Sequence, residues 1–289
     1  MTIRKAVITA AGWGTRFLPA TKAIPKEMVP VVDRPAIQYV VQEAVESGIQ
    51  FIVFVTAPEK KAIEDHFDHV PALEQLLEAK GDVVALEEVR HPATLASFCA
   101  VRQREKAGLG HAVLAARDAV GDEFFAVLLP DDLIDGPEPC LRQMIRVHQR
   151  YGGSVVAVER VPRDAVCRYG IIAPEPIAGR VSGVRDMVEK PGVQEAPSDL
   201  AIVGRYLLSP RLFEILERTP RGRGGEIQLT DGIRTLLREE PVYAFELEGE
   251  RHDTGNKLGF LKATVSYALK HPELGPAFRA YLRSLDLES

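Results

Sequence analysis

Three cations, Arg16, Lys22 and Lys26, fall within eleven positions directly behind the turn Gly12-Trp13-Gly14-Thr15, and that turn follows the short apolar run Ala6 to Ala11. The run reads as a buried parallel strand. The glycines permit backbone angles closed to other residues and let a ligand approach the main chain. A loop of this kind at the carboxyl end of a strand is a place to hold a phosphate or a base. Pro19 and Pro25 stiffen it, so the cations are expected on an extended loop rather than on a helix face. The arrangement is a cationic cradle for a polyphosphate, set against the plainer alternative of a glycine turn bordered by solvated basic residues. It is not a dinucleotide fingerprint, which needs glycine where Phe17 stands, nor a Walker A loop, which needs Gly-Lys-Ser/Thr after four spacers.

A second set of chemistry-bearing residues is acidic. Asp131 and Asp132 follow the apolar run Phe124 to Leu129, where a carboxylate can point into the crevice at a strand end. A hard oxygen ligand there suits Mg2+, which keeps several waters and bridges one or two carboxylates to substrate phosphates. The alternative is a loop or helix-capping aspartate. His252-Asp253-Thr254-Gly255 forms another strand-to-helix turn after Val242 to Leu247, and Asp253 is the natural second carboxylate. His66 and His69 have HxxH spacing without a third ligand, so they read as a solvated helix end. Trp13 could stack on a base or pack over its own loop.

These residues need a frame. Helical spacing of Ile37, Val40, Val41, Ala44 and Val45, with Pro35 before and Gly48 after, predicts a helix from Pro35 to Ser47. Phe51 to Val55 reads as the second strand. Pro71 to Arg90 reads as helical with a break near Gly81, Leu95 to Val101 as the third strand, His111 to Val120 as a helix, and Phe124 to Leu129 as the fourth strand. Alternation of this kind predicts an α/β fold with a doubly wound, mostly parallel, Rossmann-like sheet whose ligands collect beyond the carboxyl ends of the strands. Beyond Tyr151 the pieces shorten and become β-rich: Ser154 to Arg160, Gly170 to Ala173, Arg180 to Glu189 and Ala201 to Leu208. From Leu258 onward the pattern is helical, with apolar positions that need a partner surface. A single domain spanning 1–289 is expected, with a nucleotide-binding half (1–151), a β-rich lobe (152–257) and C-terminal helices (258–289).

Composition sets outer limits. The 289 residues are 46% apolar and 27% charged, enough for a large core. A net charge of −5 argues against a nucleic-acid surface, though a local positive patch can still take a nucleotide. Cys99, Cys140 and Cys167 are few and scattered, so neither disulfides nor zinc are indicated and the cytosol is the expected compartment. No run approaches membrane-spanning length.

Read onward to Met28, the stretch Ala6 to Pro30 resembles the signature of the sugar-nucleotide pyrophosphorylases, which join a nucleoside triphosphate to a sugar 1-phosphate. The detail Ala20-Thr21-Lys22-x-x-Pro25-Lys26-Glu27-Met28 is similar to the uridylyl branch; thymidylyl relatives carry Lys-Gln-Leu there and adenylyl relatives Lys-Pro. The resemblance covers nearly the whole chain in at least six blocks. It implies UTP and glucose 1-phosphate as substrates, UDP-glucose and pyrophosphate as products, Mg2+ as cofactor, and a homo-oligomer (dimer or tetramer) without nucleic-acid or membrane partners.

The same resemblance distributes roles. Leu129-Pro130-Asp131-Asp132 looks like the metal motif, with Asp131 as ligand and Asp253 in the late Asp-x-Gly position. The nucleotide falls to Ala11, Gly12, Gly14, Thr15, Glu27, Gln103 and Gly108; a carboxylate can accept the N3–H of uracil, and an amide can both donate and accept. Tyr169-Gly170, Glu189-Lys190-Pro191, Val203-Gly204-Arg205 and the block Gly224 to Asp231 resemble sugar-side motifs, placing Gly170, Glu189, Gly204 and Glu226 at the sugar, the two glycines leaving room for its ring. Arg16 and Lys26 are expected on the leaving pyrophosphate and Lys190 on the sugar phosphate, making Arg16, Lys26, Lys190 and Asp131 the catalytic set. Cysteine stands in many relatives where this chain has Thr254, which puts the geometry around the metal in question. Nucleotidyl transfer needs neutralised phosphates and an in-line nucleophile that is already ionised, so no side-chain nucleophile is required, and no G-x-S-x-G elbow is present. The rivals are thymidylyl or adenylyl transfer, or a non-catalytic nucleotide-sugar sensor, which has no reason to keep all four catalytic residues.

Overall fold

The apolar runs pair as the alternation predicts. In the computed structural model, which describes residues 2–286, nine strands form one sheet: β1 Lys5–Thr9, β2 Phe51–Thr56, β3 Ser97–Arg102, β4 Phe125–Leu128, β5 Ser154–Arg160, β6 Gly170–Ala178, β7 Val181–Glu189, β8 Leu200–Leu208 and β9 Val242–Glu246. Their spatial order is β3-β2-β1-β4-β8-β5-β9-β7-β6. The first four are parallel, with Ala6 beside both Ile52 and Ala126. β8 then enters antiparallel to β4 and β5, β9 runs parallel to β5, and β7 lies antiparallel to β9 and β6. A pairing of Ala201 with Ile171 brings β6 back against β8, so the second half curls on itself.

The parallel strands read as unbroken apolar runs because both faces are covered. Ala6 and Ile8 join a core with Ile37, Val40 and Ala44 of the helix Ala36–Glu46 and Leu141 and Met144 of the helix Cys140–Tyr151. Val7 faces the opposite way, toward Val113, Leu212, Leu216 and Ile233. Among the described residues no helix is long and apolar enough to cross a membrane.

Three segments differ from the expectations. The basic loop is not extended: it folds into three single turns of 3-10 helix, Thr15–Phe17, Ala20–Lys22 and Lys26–Met28, two of which begin directly after a proline whose fixed φ suits a tight turn. The helix near His111 divides at Ala116 into Leu109–Ala115 and Arg117–Val120. The strand entering the Asp253 turn is not Val242–Glu246 but a separate piece, Glu250–Asp253, paired antiparallel with Asp132–Asp135 so that Asp253 lies opposite Asp132.

One buried ion pair binds these parts. The guanidinium of Arg205 on β8 has no exposed surface. It donates to both carboxylate oxygens of Glu43 at 2.6–3.1 Å, to the Leu129 carbonyl at 3.2 Å and to the Asp132 carbonyl at 2.7 Å. Glu43 Oε1 also accepts from the Leu141 amide. Burial lowers the Arg205 pKa, but the Glu43 carboxylate more than offsets it and the net shift is upward. Removing one partner of such a pair strands the other in the core. Arg205→Met is therefore expected to destabilise the protein by about 3–5 kcal/mol in urea unfolding; a midpoint equal to wild type at equal m-value would show that the pair does not hold these elements together.

Candidate active site

The carboxyl ends of β1 and β4 open into a cleft of about 730 Å³ lined from both halves of the chain. Arg16, Asp131, Asp132 and Asp253 line it together with Gly170, Glu189, Lys190, Gly204 and Glu226.

The basic loop is folded back by its own contacts. Gly14 has φ +67°, and a Cβ there would meet Lys26 Cβ at 3.1 Å and Thr21 Cγ2 at 3.3 Å, so a side chain would be strained by its backbone and would press on both neighbours. Thr21 Oγ1 donates to the Gly14 carbonyl at 2.8 Å. This return carries Lys26 to Asp131, where its Nζ donates to Oδ2 at 2.5 Å. Arg16 reaches the far turn and donates to the Gly255 carbonyl at 3.3 Å. Burial works against charge on both Lys26 and Asp131, but their mutual attraction, with Arg16 acting on the acid and Glu27 on the base, leaves Asp131 below the usual carboxylate range and Lys26 above the usual ammonium range. Both are charged at neutral pH.

The two adjacent aspartates do different work. Asp132 is buried, its Oδ1 accepting from Arg251 Nε at 2.6 Å and its Oδ2 from the Gly204 amide at 3.0 Å. Burial, with Asp131 and Asp253 close by, pushes its carboxyl up to about 6 in spite of the Arg251 charge. Both acids line the cleft, Asp131 as the more exposed of the two, its carbonyl fixed by the amide and hydroxyl of Thr254 at 2.7 and 2.9 Å. Thr254 thus supplies a clamp on the backbone that carries the acid. Asp253 is oriented by the Gly255 amide at 2.9 Å and by Asn256 Nδ2 at 2.9 Å, while Asn256 Oδ1 caps the helix Lys257–Lys270 through the Gly259 amide.

Gly255 lies where the two acids meet. A Cβ there would fall 2.7 Å from Asp131 Oδ2 and 2.9 Å from Asp253 Oδ1. Two carboxylates converging on one side-chain-free point, with no cluster of three acidic, histidine or cysteine ligands among the described residues, fit a hard cation that completes its shell with water and phosphate oxygens.

Elsewhere in the lining, Glu189 Oε1 pairs with Lys190 Nζ at 2.9 Å and Oε2 accepts from Thr230 Oγ1 at 2.7 Å. Lys190 has φ +46°, a conformation that a non-glycine residue holds only when its surroundings enforce it. The two glycines line the cleft but do not leave bare backbone as expected. Asp132 Oδ2 and Leu129 Cβ fill the space over Gly204, and Thr230 Oγ1 lies 2.9 Å from where a Gly170 Cβ would be; close packing of the acids, rather than room for a ring, requires glycine there.

None of the base-reading candidates is among the residues that line this cleft. Ala11 is buried, and the space beside Gly12 is open. Thr15 opens the first 3-10 turn. Gln103 Nε2 donates to the Gly108 carbonyl at 3.2 Å and contacts His111 Nδ1 at 3.0 Å, so Gln103 and Gly108 form a pair. A Cβ at Gly108, φ +99°, would meet Glu226 Cβ at 2.7 Å, which joins that pair to the cleft wall. Glu27 is buried against Lys60. Trp13 is 65% exposed with Lys106 over its ring, and His66 and His69 turn to separate partners, Gln38 and Glu74.

Sequence reasoning passed over Arg251, Thr230 and Lys60. Arg251 lies 119 positions from Asp132 and 92 from Glu159, which it also pairs with; its single position in Glu-Gly-Glu-Arg carries no spacing signal. The pairing of Asp132 with Asp253 across two short strands brings it in.

With this fold, and with cations and carboxylates gathered at one cleft, residues 5–269 match the family model for nucleotidyl transferases. The chain belongs to the nucleotidyl transferase family and is a nucleotidyltransferase. More particularly, it is 49% identical over 285 residues, 99% of each chain, to a protein of Staphylococcus epidermidis named UTP–glucose-1-phosphate uridylyltransferase, and 49% identical over 283 residues, 98% of each chain, to one of the same name from Staphylococcus haemolyticus. A UTP-bound UGPase from Acinetobacter baumannii superposes with TM-score 0.93 at 45% identity, covering 99% of this chain and all of that one. A UDP-glucose pyrophosphorylase complexed with UDP-glucose gives 0.85 at 42% identity, over 93% of this chain and 100% of the other.

Gly255→Ala places a methyl group between the two acids. It is expected to lower turnover about 100-fold, as a displacement of roughly 1 Å at a reacting centre does, while circular dichroism and the unfolding midpoint stay near wild type. Full turnover in a folded variant would mean that the acids do not converge on a ligand at this point.

Proposed function

We propose that the chain transfers the uridylyl group of UTP to glucose 1-phosphate, releasing pyrophosphate and forming UDP-glucose by in-line displacement at the α-phosphorus. The observation that carries the reading is the meeting, in one cleft, of Arg16 and the Lys26-bound Asp131 from the first half of the chain with Asp253, Glu189 and Lys190 from the second. Relatives that match end to end carry the name of this reaction.

Lys26 and Asp131 neutralise each other. An arriving triphosphate gives Lys26 a new anion and leaves the Asp131 carboxylate to a cation. Mg2+ held by Asp131 and Asp253 would offset charge on the α-phosphate. Arg16 and Lys26 take the β- and γ-phosphates that leave together, and Lys190 holds the phosphate of glucose 1-phosphate, whose ionised oxygen attacks without a general base. Glu189, fixed by Thr230, accepts from sugar hydroxyls, with Glu226 beside it. The base lies against the backbone of Ala11 and Gly12, read by Glu27 and the Gln103–Gly108 pair.

A homo-oligomer belongs to the same proposal. Leu258, Leu261 and Val265 form an exposed apolar stripe at helical spacing on Lys257–Lys270. The described cysteines are all free thiols, which supports a reducing compartment such as the cytosol.

A pyrophosphate-release assay over a matrix of nucleoside triphosphates and sugar phosphates is expected to single out UTP with glucose 1-phosphate; a faster adenine or thymine nucleotide would overturn the assignment. Lys190→Ala should raise KM for glucose 1-phosphate, and Lys26→Ala that for UTP and pyrophosphate, each by about 10- to 100-fold, the worth of a charge-assisted contact. Both should also lower kcat, since the two charges act on opposite sides of one phosphorus. If Lys190→Ala weakens UTP and leaves glucose 1-phosphate untouched, the division of labour is wrong. Leu261→Glu should convert an oligomer to monomer by light scattering; a wild-type protein already monomeric at working concentration removes the oligomer from the proposal.

A further inference from the structure

Two adjacent lysines, Lys60 and Lys61, sit at the carboxyl end of β2, and the fold treats them oppositely. The Lys61 side chain is 80% exposed and reaches only toward Asp65. Lys60 closes the turn Pro58–Lys60 and points inward: its side chain is 3% exposed and its Nζ donates to Glu27 Oε2 at 2.8 Å. The Glu27 side chain is 1% exposed, and its second oxygen, Oε1, is buried with no hydrogen-bond partner among the described residues. A buried carboxylate oxygen without a donor is a standing cost to folding unless a ligand brings the donor. Both residues follow neighbouring strands, β1 and β2, paired as far as Thr9 with Val55, and the open space beside Gly12 lies at the same end of the sheet.

We infer that Lys60 is a positioning residue that decides which pyrimidine the site accepts: its ammonium occupies one oxygen of Glu27 and leaves the other as the acceptor offered to the base. Such an oxygen meets the N3–H of uracil and opposes the N3 lone pair of cytosine. Thymine carries the same N3–H, so Lys60 does not separate uracil from thymine. The inference rests on Glu27 contacting the base, as proposed above. A purely structural role, neutralising a buried acid, would alter stability and leave base preference unchanged.

The test uses the full-length enzyme with Mg2+ and saturating glucose 1-phosphate, measuring kcat/KM for UTP, CTP and dTTP by pyrophosphate release. Lys60→Met is expected to lower the value for UTP by about 10- to 100-fold, the effect of losing a charge-assisted contact, and to narrow the UTP:CTP ratio about tenfold or more. The dTTP:UTP ratio and KM for glucose 1-phosphate should not move, and Lys60→Arg should restore the UTP:CTP ratio. Glu27→Gln keeps Lys60 on the amide oxygen and turns N–H toward the base, shifting preference toward CTP. Because Lys60→Met strands a buried charge and can fail to fold, the neutral pair Glu27→Gln with Lys60→Met is the second arm: without Lys60 the amide can flip, and its UTP:CTP ratio should lie between those of wild type and Glu27→Gln. If Glu27→Gln leaves the ratio at the wild-type value, Glu27 does not read the base and the inference falls with that reading. If Glu27→Gln shifts the ratio while Lys60→Met equals wild type, or the double variant equals Glu27→Gln, the base contact stands and the role of Lys60 is overturned.

Discussion

A guanidinium without exposed surface sets the geometry of the cleft. Arg205 is the point at which the antiparallel half of the sheet is fastened to the parallel half, because β8 brings it beneath the turn that leaves β4. Its five donors are spent on Glu43, which ties down the helix Ala36–Glu46, and on the carbonyls of Leu129, Gly204 and Asp132. A planar fork with fixed directions suits this task where a flexible ammonium would not. The acids of the site therefore rest on a rigid support placed behind them, out of contact with solvent.

Charge is partitioned on that support by separate partners. Asp132 is consumed by Arg251 and the Gly204 amide, so its negative charge is fixed inward and its neighbour is left as the more exposed acid. Asp131 is held at its carbonyl by Thr254 and at its carboxylate by Lys26. Two adjacent residues of one type are thus made unlike by their surroundings, as environment rather than residue type decides how paired carboxylates behave. The same economy appears at Asn256, whose amide orients Asp253 with one end and caps a helix with the other.

Glycines mark where these groups crowd. At Gly204 and Gly255 the missing side chain makes space for carboxylate oxygens, and at Gly108 and Gly14 a left-handed backbone coincides with close packing against Glu226 and Lys26. The strained backbone at Lys190 falls on the wall of the same cleft, which is where a folded chain tolerates such strain when it positions a group.

Much of this was legible in the chain itself. The apolar runs at Ala6, Phe51 and Phe124 announced a parallel sheet covered on both faces, because only complete burial permits hydrophobic residues in succession; residue type and position at strand ends marked Arg16, Asp131 and Asp253 as candidates, and the fold brings the three to one cleft. What local pattern could not decide was which groups meet. Whether Asp131 or Asp132 is the more exposed acid depends on Arg251, 119 positions from Asp132, and whether Glu27 keeps a free oxygen depends on Lys60, an unremarkable member of a lysine pair. The basic loop curls rather than extends because Thr21 and Lys26 pack back on Gly14. Residue type and periodicity are properties of the chain and determine burial and elements; the pairing of charges is a property of distance in three dimensions, and only the closed sheet brings those partners within a hydrogen bond of each other.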